Sequence, residues 1–107
     1  MSSALRLAIC DPAEQSRESL KKMVMGIDRV CLEADCSRYE FFSEIVDQTT
    51  PDVAIVDIDD DEKTALELIE KLNRNHPSCG VIVVTIQKGP SHGGNAAFTI
   101  ALFRQGG

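Results

Sequence analysis

Short apolar runs alternate with more polar stretches along most of the chain. The run at residues 5–10 and the longer runs at 52–58 and 80–86 have almost continuous apolar centres. Runs of this length are typical of strands that are buried on both faces of a parallel sheet. A weaker and more polar run at 29–34 is typical of an edge strand. The pattern therefore predicts four strands.

Three stretches between these runs carry apolar residues at helical spacing. We expect the first helix to follow Asp11 as its N-cap, with Glu14 completing a capping box, and the second to follow Ser37 in the same way with Glu40. The apolar face of the second predicted helix consists of Phe41, Phe42, Ile45 and Val46. The third predicted helix buries residues at i, i+3, i+4 and i+7, namely Ala65, Leu68, Ile69 and Leu72.

The resulting β-α-β-α-β-α-β order predicts an α/β fold with a doubly wound parallel sheet and right-handed crossovers. The length of 107 residues fits one domain spanning 1–107. Ligands of such sheets bind beyond the carboxyl ends of the strands. Asp11, Asp57 and Thr85 stand at the ends of the first, third and fourth predicted strands, and they are the candidate site residues.

These residue types suggest phosphoryl chemistry. If the first and third strands are neighbours, Asp11 and Asp57 converge on one pocket with Thr85 beside them. Two carboxylates next to backbone carbonyls form a hard oxygen site that suits Mg²⁺. An aspartate can also act as a nucleophile and form an aspartyl phosphate.

Three segments carry a resemblance to a known family. LRLAICDPAEQSRESL, PDVAIVDID and VIVVT, in this order and at this spacing, resemble the first, third and fourth strands of response-regulator receiver (CheY-like) domains of two-component signalling. The resemblance covers about residues 5–87. It implies a flavodoxin-like sheet with strand order 2-1-3-4, in a phosphoacceptor signalling domain that is not an enzyme beyond self-catalysed phosphorylation and dephosphorylation.

The resemblance also implies roles for individual residues. Asp57 would be the phosphoacceptor, and Thr85 the hydroxyl that closes on the phosphoryl oxygens. Mg²⁺ would be held by Asp11, Asp57 and the backbone carbonyl of Asp59. The implied partners are a histidine kinase or phosphotransfer protein and a downstream effector domain.

Several positions depart from the family pattern. Cys10 stands where the family has a second acidic residue, and a thiol is a poor Mg²⁺ ligand. Asp60 and Asp61 replace a Met-Pro pair, and Thr64-Ala65 replaces Asp-Gly. The chain is expected to end before the fifth strand, which in the family carries a lysine that pairs with the phosphoryl group.

These departures leave an alternative open. The chain would then be a degenerate receiver used for protein interaction or dimerisation, as in the receiver-like N-terminal domains of Flp-pilus assembly ATPases. Without a fifth strand, the fourth would be an exposed apolar edge that favours self-association. Residues 87–95 are glycine-rich and predict a flexible connection. Residues 96–103 are apolar throughout, and we expect a helix there, although a strand is also compatible with the pattern.

The composition limits partners and location. A net charge of −6 disfavours nucleic-acid binding by this domain. The chain has no apolar run long enough to span a bilayer and no signal-peptide pattern, so we expect a cytoplasmic domain without membrane contact. Four cysteines without a Cys-x-x-Cys pair predict reduced, mostly buried thiols instead of a zinc site.

Overall fold

The computed structural model describes residues 4–88 and 96–103. The elements are β1 (Leu5–Cys10), α1 (Glu14–Met25), β2 (Val30–Cys36), α2 (Tyr39–Thr49), β3 (Val53–Asp57), α3 (Glu62–Asn75), β4 (Gly80–Lys88) and β5 (Ala96–Phe103). Among these helices, none is both long and apolar enough to cross a membrane. The predicted alternation of strands and helices is confirmed through β4.

One sheet runs through the molecule in the order β2-β1-β3-β4-β5. The first four strands are parallel, which confirms the α/β class and the predicted order 2-1-3-4. Because β1 and β3 are adjacent, Cys10 at the end of β1 pairs with Val56 near the end of β3. The carboxyl ends of the two central strands therefore lie side by side.

Helices cover both faces of the sheet. On one face, α2 and α3 pack their apolar sides on alternate strand residues, and Phe42 is completely buried there. On the other face, Leu20 and Val24 of α1 pack against Leu7 and Ile9 of β1. Full burial of each large apolar side chain contributes roughly 1.5–3 kcal/mol, so both layers stabilise the sheet. The four residues predicted for the buried face of α3 are all buried.

Two of the three helix starts differ from the capping predictions. α1 begins after Ala13 and α2 after Arg38, and neither helix has a side-chain cap. The predicted N-caps Asp11 and Ser37 are therefore wrong. Asp11 does accept the amide of Ala13, but it does so before the helix begins. Among the helices of the described residues, α3 alone has a side-chain cap, in which Asp61 accepts the Thr64 amide at 3.2 Å.

Phe41 is a further correction, because its side chain is 52% exposed while Phe42 is fully buried. The guanidinium of Arg38 lies 5.4 Å from the centroid of the Phe41 ring. A cation over an aromatic face is attracted by the ring quadrupole, which offers this exposed ring a partner at the surface. Only one of the two adjacent phenylalanines therefore belongs to the core.

The helix expected at residues 96–103 is wrong, since this segment is the strand β5. It pairs antiparallel with β4, from Lys88 opposite Ala96 to Val81 opposite Phe103. The expected exposed edge at β4 is consequently covered. Gln87 and Lys88 belong to β4, and the rest of the predicted glycine-rich connection lies outside the described residues. Pairing with the preceding strand β4 accompanies the extended conformation of an apolar run that is ambiguous by its local pattern.

Candidate functional site

Carboxylates from two central strands meet at the carboxyl edge of the sheet. Asp57 ends β3, and Asp11 directly follows the neighbouring β1. Asp59 lies two residues beyond β3, and Thr85 of β4 donates its hydroxyl to it. The structure therefore brings together all four residues that the sequence singled out.

Asp57 is held almost entirely inside the protein, with 2% of its surface exposed. Its Oδ1 accepts the Asp59 amide at 2.8 Å, and its backbone carbonyl accepts the Tyr39 hydroxyl at 2.6 Å. Its Oδ2 is buried and has no hydrogen-bond partner within the part of the chain that the structure describes. A buried carboxylate oxygen without a partner is costly, so its presence here needs an explanation.

The surroundings raise the pKa of Asp57 from 3.8 to about 6. Burial is the main cause, because it disfavours the charged form. The carboxylates of Asp11 and Asp59 raise the pKa further, while the hydrogen bond from the Asp59 amide opposes the shift. Perturbed groups of this kind are concentrated at functional sites, although structural networks also produce them.

Hydrogen bonds from residues just after it in the sequence orient the Asp11 carboxylate. It is 1% exposed, and its two carboxylate oxygens accept the Ser16 hydroxyl at 2.5 Å and the Ala13 amide at 3.0 Å. Burial raises the pKa of Asp11, while these hydrogen bonds and Arg17 act in the opposite direction. Sequence reasoning missed Ser16, whose only signal is a hydroxyl in the first turn of the following helix.

Thr85 and Asp59 form a direct contact beside the buried aspartate. The Thr85 hydroxyl donates to Asp59 Oδ1 at 2.5 Å. The family resemblance implies only a backbone role for Asp59, and the use of its side chain is visible only in the structure. In the described state the hydroxyl expected to sense a phosphoryl group therefore rests on a carboxylate two residues after Asp57.

Cys10 does not belong to this constellation of oxygens. Its side chain is fully buried in the core cluster under α2 and α3. Burial raises the pKa of the Cys10 thiol, and the neighbouring Cys36 and Asp11 raise it further. A neutral buried thiol contributes no hard oxygen donor to a cation.

The oxygen donors that remain are of the kind that could hold Mg²⁺. Within residues 4–88 and 96–103 no group of three or more His, Cys, Asp or Glu side chains is arranged to hold a metal. Mg²⁺, however, is commonly bound by one or two carboxylates and keeps several waters. Asp11 and Asp57 offer two such carboxylates, and the backbone carbonyl of Asp59 is a third oxygen. The unpartnered Oδ2 of Asp57 is the atom that a cation would satisfy.

Comparisons with known proteins identify the architecture. No family model and no curated protein matches the chain. Among solved structures, the isolated REC domain of RcsB from Salmonella enterica serovar Typhimurium with phosphomimetic BeF3− matches with a TM-score of 0.71 and 20% identity, covering 82% of this chain and 66% of that one. The chain has the receiver-domain fold.

Two further structures of RcsB agree with this assignment. The apo REC domain gives a TM-score of 0.66 at 19% identity over 74% of this chain and 58% of that one. The RcsB–DNA complex gives 0.68 at 20% identity over 78% of this chain and 43% of that one. The chain thus spans less than two thirds of the length of each of these structures. None of the three is a pilus-assembly ATPase, so that part of the resemblance stays a prediction.

Proposed function

We propose that residues 1–107 form a receiver domain that accepts a phosphoryl group on Asp57 and acts as a signalling switch. The observation that carries the proposal is the buried, unpartnered Oδ2 of Asp57 at the carboxyl end of β3. Burial without a partner costs stability, and the cost is understandable if this oxygen is kept for a ligand or a covalent bond. Ligand binding beyond the carboxyl ends of strands, which is general in doubly wound sheets, supports the choice of this strand end.

The reaction is a transfer from a phosphorylated histidine of a kinase or phosphotransfer protein. Asp57 Oδ2 forms a bond to phosphorus while the phosphorus–nitrogen bond breaks, and the leaving imidazole takes up a proton. The product is an acyl phosphate on Asp57. The domain is thereby a substrate of its partner, and it performs at most its own phosphorylation and dephosphorylation. Such a partner implies a cytoplasmic location.

The chain's own residues prepare this step. Ser16 and the Ala13 amide fix Asp11, and Tyr39 fixes the backbone of Asp57. Asp11, Asp57 and the Asp59 carbonyl would hold Mg²⁺, which would offset the negative charge of the acceptor and of the incoming phosphoryl group. Burial and the neighbouring carboxylates raise the pKa of Asp57, and a nearby cation would favour its ionised form.

The switch itself is an exchange of partners by Thr85. Its hydroxyl leaves Asp59 Oδ1 and donates to an oxygen of the phosphoryl group on Asp57. Two alternative contacts for one hydroxyl at the end of β4 define two states, and phosphorylation shifts their populations. The output passes to an effector. With a net charge of −6, DNA contacts would require another domain.

A second function is favoured by specific features and is kept as the alternative. The residue before Asp11 is the core thiol Cys10, and the β5 strand beside β4 is antiparallel and contains no lysine. Both features remove charges that the family uses around the phosphoryl group. The alternative is a degenerate receiver that serves as an interaction or dimerisation module.

An amide NMR titration with Mg²⁺ and beryllofluoride distinguishes the two functions. We expect saturable shifts at Asp11, Asp57 and Thr85 in the wild type and none in Asp57→Asn. Asp28→Asn is the matched control, because it makes the same chemical change at an exposed position in the connection between α1 and β2. Wild-type spectra that do not respond would overturn the phosphorylation proposal and leave the interaction module.

Covalent capture provides a second test. Wild type and Asp28→Asn incubated with phosphoramidate and Mg²⁺ should gain one phosphoryl group by intact mass, and hydroxylamine should remove it as expected for an acyl phosphate. Asp57→Asn should remain unmodified. A hydroxylamine-stable adduct, or one that persists in Asp57→Asn, would place the modification on a different residue.

A further inference from the structure

Two buried thiols face each other across adjacent strands at the carboxyl edge. Cys10 and Cys36 are the last residues of β1 and β2, and they are direct partners in the parallel register. Both belong to the core cluster under α2 and α3, so both side chains lie on the same face of the sheet. Neighbouring strands lie roughly 4.8 Å apart, within the roughly 4.4–6.8 Å between Cα atoms that disulfides adopt.

The other two cysteines lack such a partner. Cys31 is exposed and pairs in the sheet with Arg6. Cys79 is buried in the same core cluster, but it immediately precedes β4, which β3 separates from β1, and its thiol donates to the Gly80 carbonyl at 3.5 Å. The placement of Cys10 opposite Cys36 is therefore specific among the four cysteines.

We propose that Cys10 and Cys36 form a reversible disulfide, which makes the ends of β1 and β2 an oxidation site. The step requires a two-electron oxidant of the peroxide class. Cys36 reacts first, because it is 7% exposed while Cys10 is fully covered. Its sulfur attacks one peroxide oxygen, which gives a sulfenic acid and releases one water.

Cys10 completes the reaction. Its sulfur attacks the Cys36 sulfur, the hydroxyl leaves as water with the proton of the Cys10 thiol, and the S–S bond forms. Two thiols and one hydrogen peroxide thus give one disulfide and two waters. Two thiols of an external reductant reverse the step. Within reducing compartments, disulfides of this kind are typically transient and redox-sensing.

The site is joined directly to Asp11. The carbonyl of Cys36 accepts the Asp11 amide at 2.9 Å, and the Cys36 thiol donates to the Arg38 carbonyl at 3.0 Å. Disulfide formation removes the thiol hydrogen bond and ties the Cys36 side chain to Cys10, the residue before Asp11. We therefore expect the oxidised form to displace the Asp11 amide, whether or not Asp57 accepts phosphate.

Peptide mapping of the native protein tests the disulfide. The wild type is oxidised with hydrogen peroxide, its remaining thiols are alkylated, and it is cleaved after arginine and glutamate. Cleavage after Glu33 separates Cys31 from Cys36. We expect a peptide containing Cys10 linked to one containing Cys36, in monomeric protein. The link should persist in Cys31→Ser, disappear in Cys10→Ala, and be lost on reduction with dithiothreitol.

Three outcomes of the peptide mapping would contradict the disulfide. Alkylation of both cysteines after oxidation and denaturation, overoxidation of Cys36 without a link, or links between two molecules would each overturn the proposal. The wild-type map gives this answer even if Cys10→Ala does not fold. Amide spectra recorded without metal or phosphoryl donor then test the coupling: a shift at Asp11 is expected on oxidation, and an unchanged Asp11 signal in disulfide-linked protein would contradict it.

Discussion

The amino and carboxyl ends of the parallel strands, here called the amino edge and the carboxyl edge, differ in how their carboxylates are paired. At the amino edge, where β1 and β3 begin, acidic groups are matched by cations or backbone donors. The Arg6 guanidinium contacts Glu33 at 2.6 Å and the carbonyls of Thr49 and Thr50, while its backbone amide donates to Asp52 at 2.9 Å. These groups are partly or largely exposed. The interactions at the amino edge therefore serve to stabilise the fold.

At the carboxyl edge, Asp11 and Asp57 are buried and lack such cations, whereas the partly exposed Asp35 pairs with Arg17 and Lys21. In the part of the chain that the structure describes, neither Asp11 nor Asp57 takes part in a salt bridge. Arg17 lies close by, but its guanidinium donates to the Asp11 backbone carbonyl and pairs with Asp35 at 3.5 Å. Buried charge without a counterion lowers stability. The contrast supports the proposal that the carboxyl edge receives an external cation and a phosphoryl group.

The largest effect that tests this contrast is the pH dependence of stability. The pKa of Asp57 is about 6 in the folded state against 3.8 for the ordinary group. Below about pH 4 both states carry the proton and there is no penalty. As the pH rises, the unfolded state ionises first, so stability is lost between about pH 4 and pH 6. At pH 7.5 the penalty reaches at most about 3 kcal/mol.

Asp57→Asn should remove this loss. Urea unfolding at about pH 4 and pH 7.5 should show a stability gain for Asp57→Asn over the wild type that is much larger at the higher pH. Asp28→Asn should track the wild type at both values. If the difference in unfolding free energy between wild type and Asp57→Asn does not change with pH, ionisation of Asp57 does not destabilise the folded state.

At the carboxyl edge, the sequence pattern predicts the strands well, but it does not predict the hydrogen bonds between side chains. β1 has the predicted bounds, and Asp11 and Asp57 fall at adjacent strand ends, because apolar runs and strand order are enough to place them. The hydrogen bond between Thr85 and Asp59 is not encoded locally, since it joins side chains 26 positions apart. Long-range side-chain geometry of this kind requires the folded sheet.

Helix starts and the last strand show where local patterns are ambiguous. Ser37 has the sequence signature of a capping box, but Arg38 is the N-cap and forms an ion pair with Glu40 at 3.3 Å. The short apolar run at 96–103 is compatible with either a helix or a strand until β4 is available as a partner. Both errors arise because competing local solutions are similar in energy and tertiary contacts decide between them.

A smaller effect is expected from the hydroxyl that fixes the backbone of Asp57. Tyr39→Phe removes a buried hydrogen bond of 2.6 Å and leaves the Asp57 carbonyl without it. Such a loss costs about 1–2 kcal/mol. Urea unfolding should show this cost, and amide shifts should be concentrated at Asp57 and its neighbours.

The matched control lies at the amino edge. Thr49→Val removes a hydroxyl that donates to the Ile45 carbonyl at 2.7 Å, inside α2 and partly exposed. Because a helical carbonyl of this kind retains its backbone partner, the cost should be smaller than that of Tyr39→Phe. Equal costs for the two substitutions would mean that the carboxyl edge does not depend on its buried hydrogen bonds more than the amino edge does.

The smallest effect is expected from the histidine–aspartate contact that joins α2 to the end of α3 at the amino edge. His76 Nε2 lies 2.6 Å from Asp47 Oδ1, but the Asp47 side chain is 60% exposed. Water screens such a pair, so its coupling energy should not exceed about 1 kcal/mol. A double-mutant cycle of Asp47→Asn and His76→Gln, measured by urea unfolding, isolates this term. A coupling of several kcal/mol would show that the amino edge also relies on strong charge interactions, and the contrast between the two edges would then rest on burial alone.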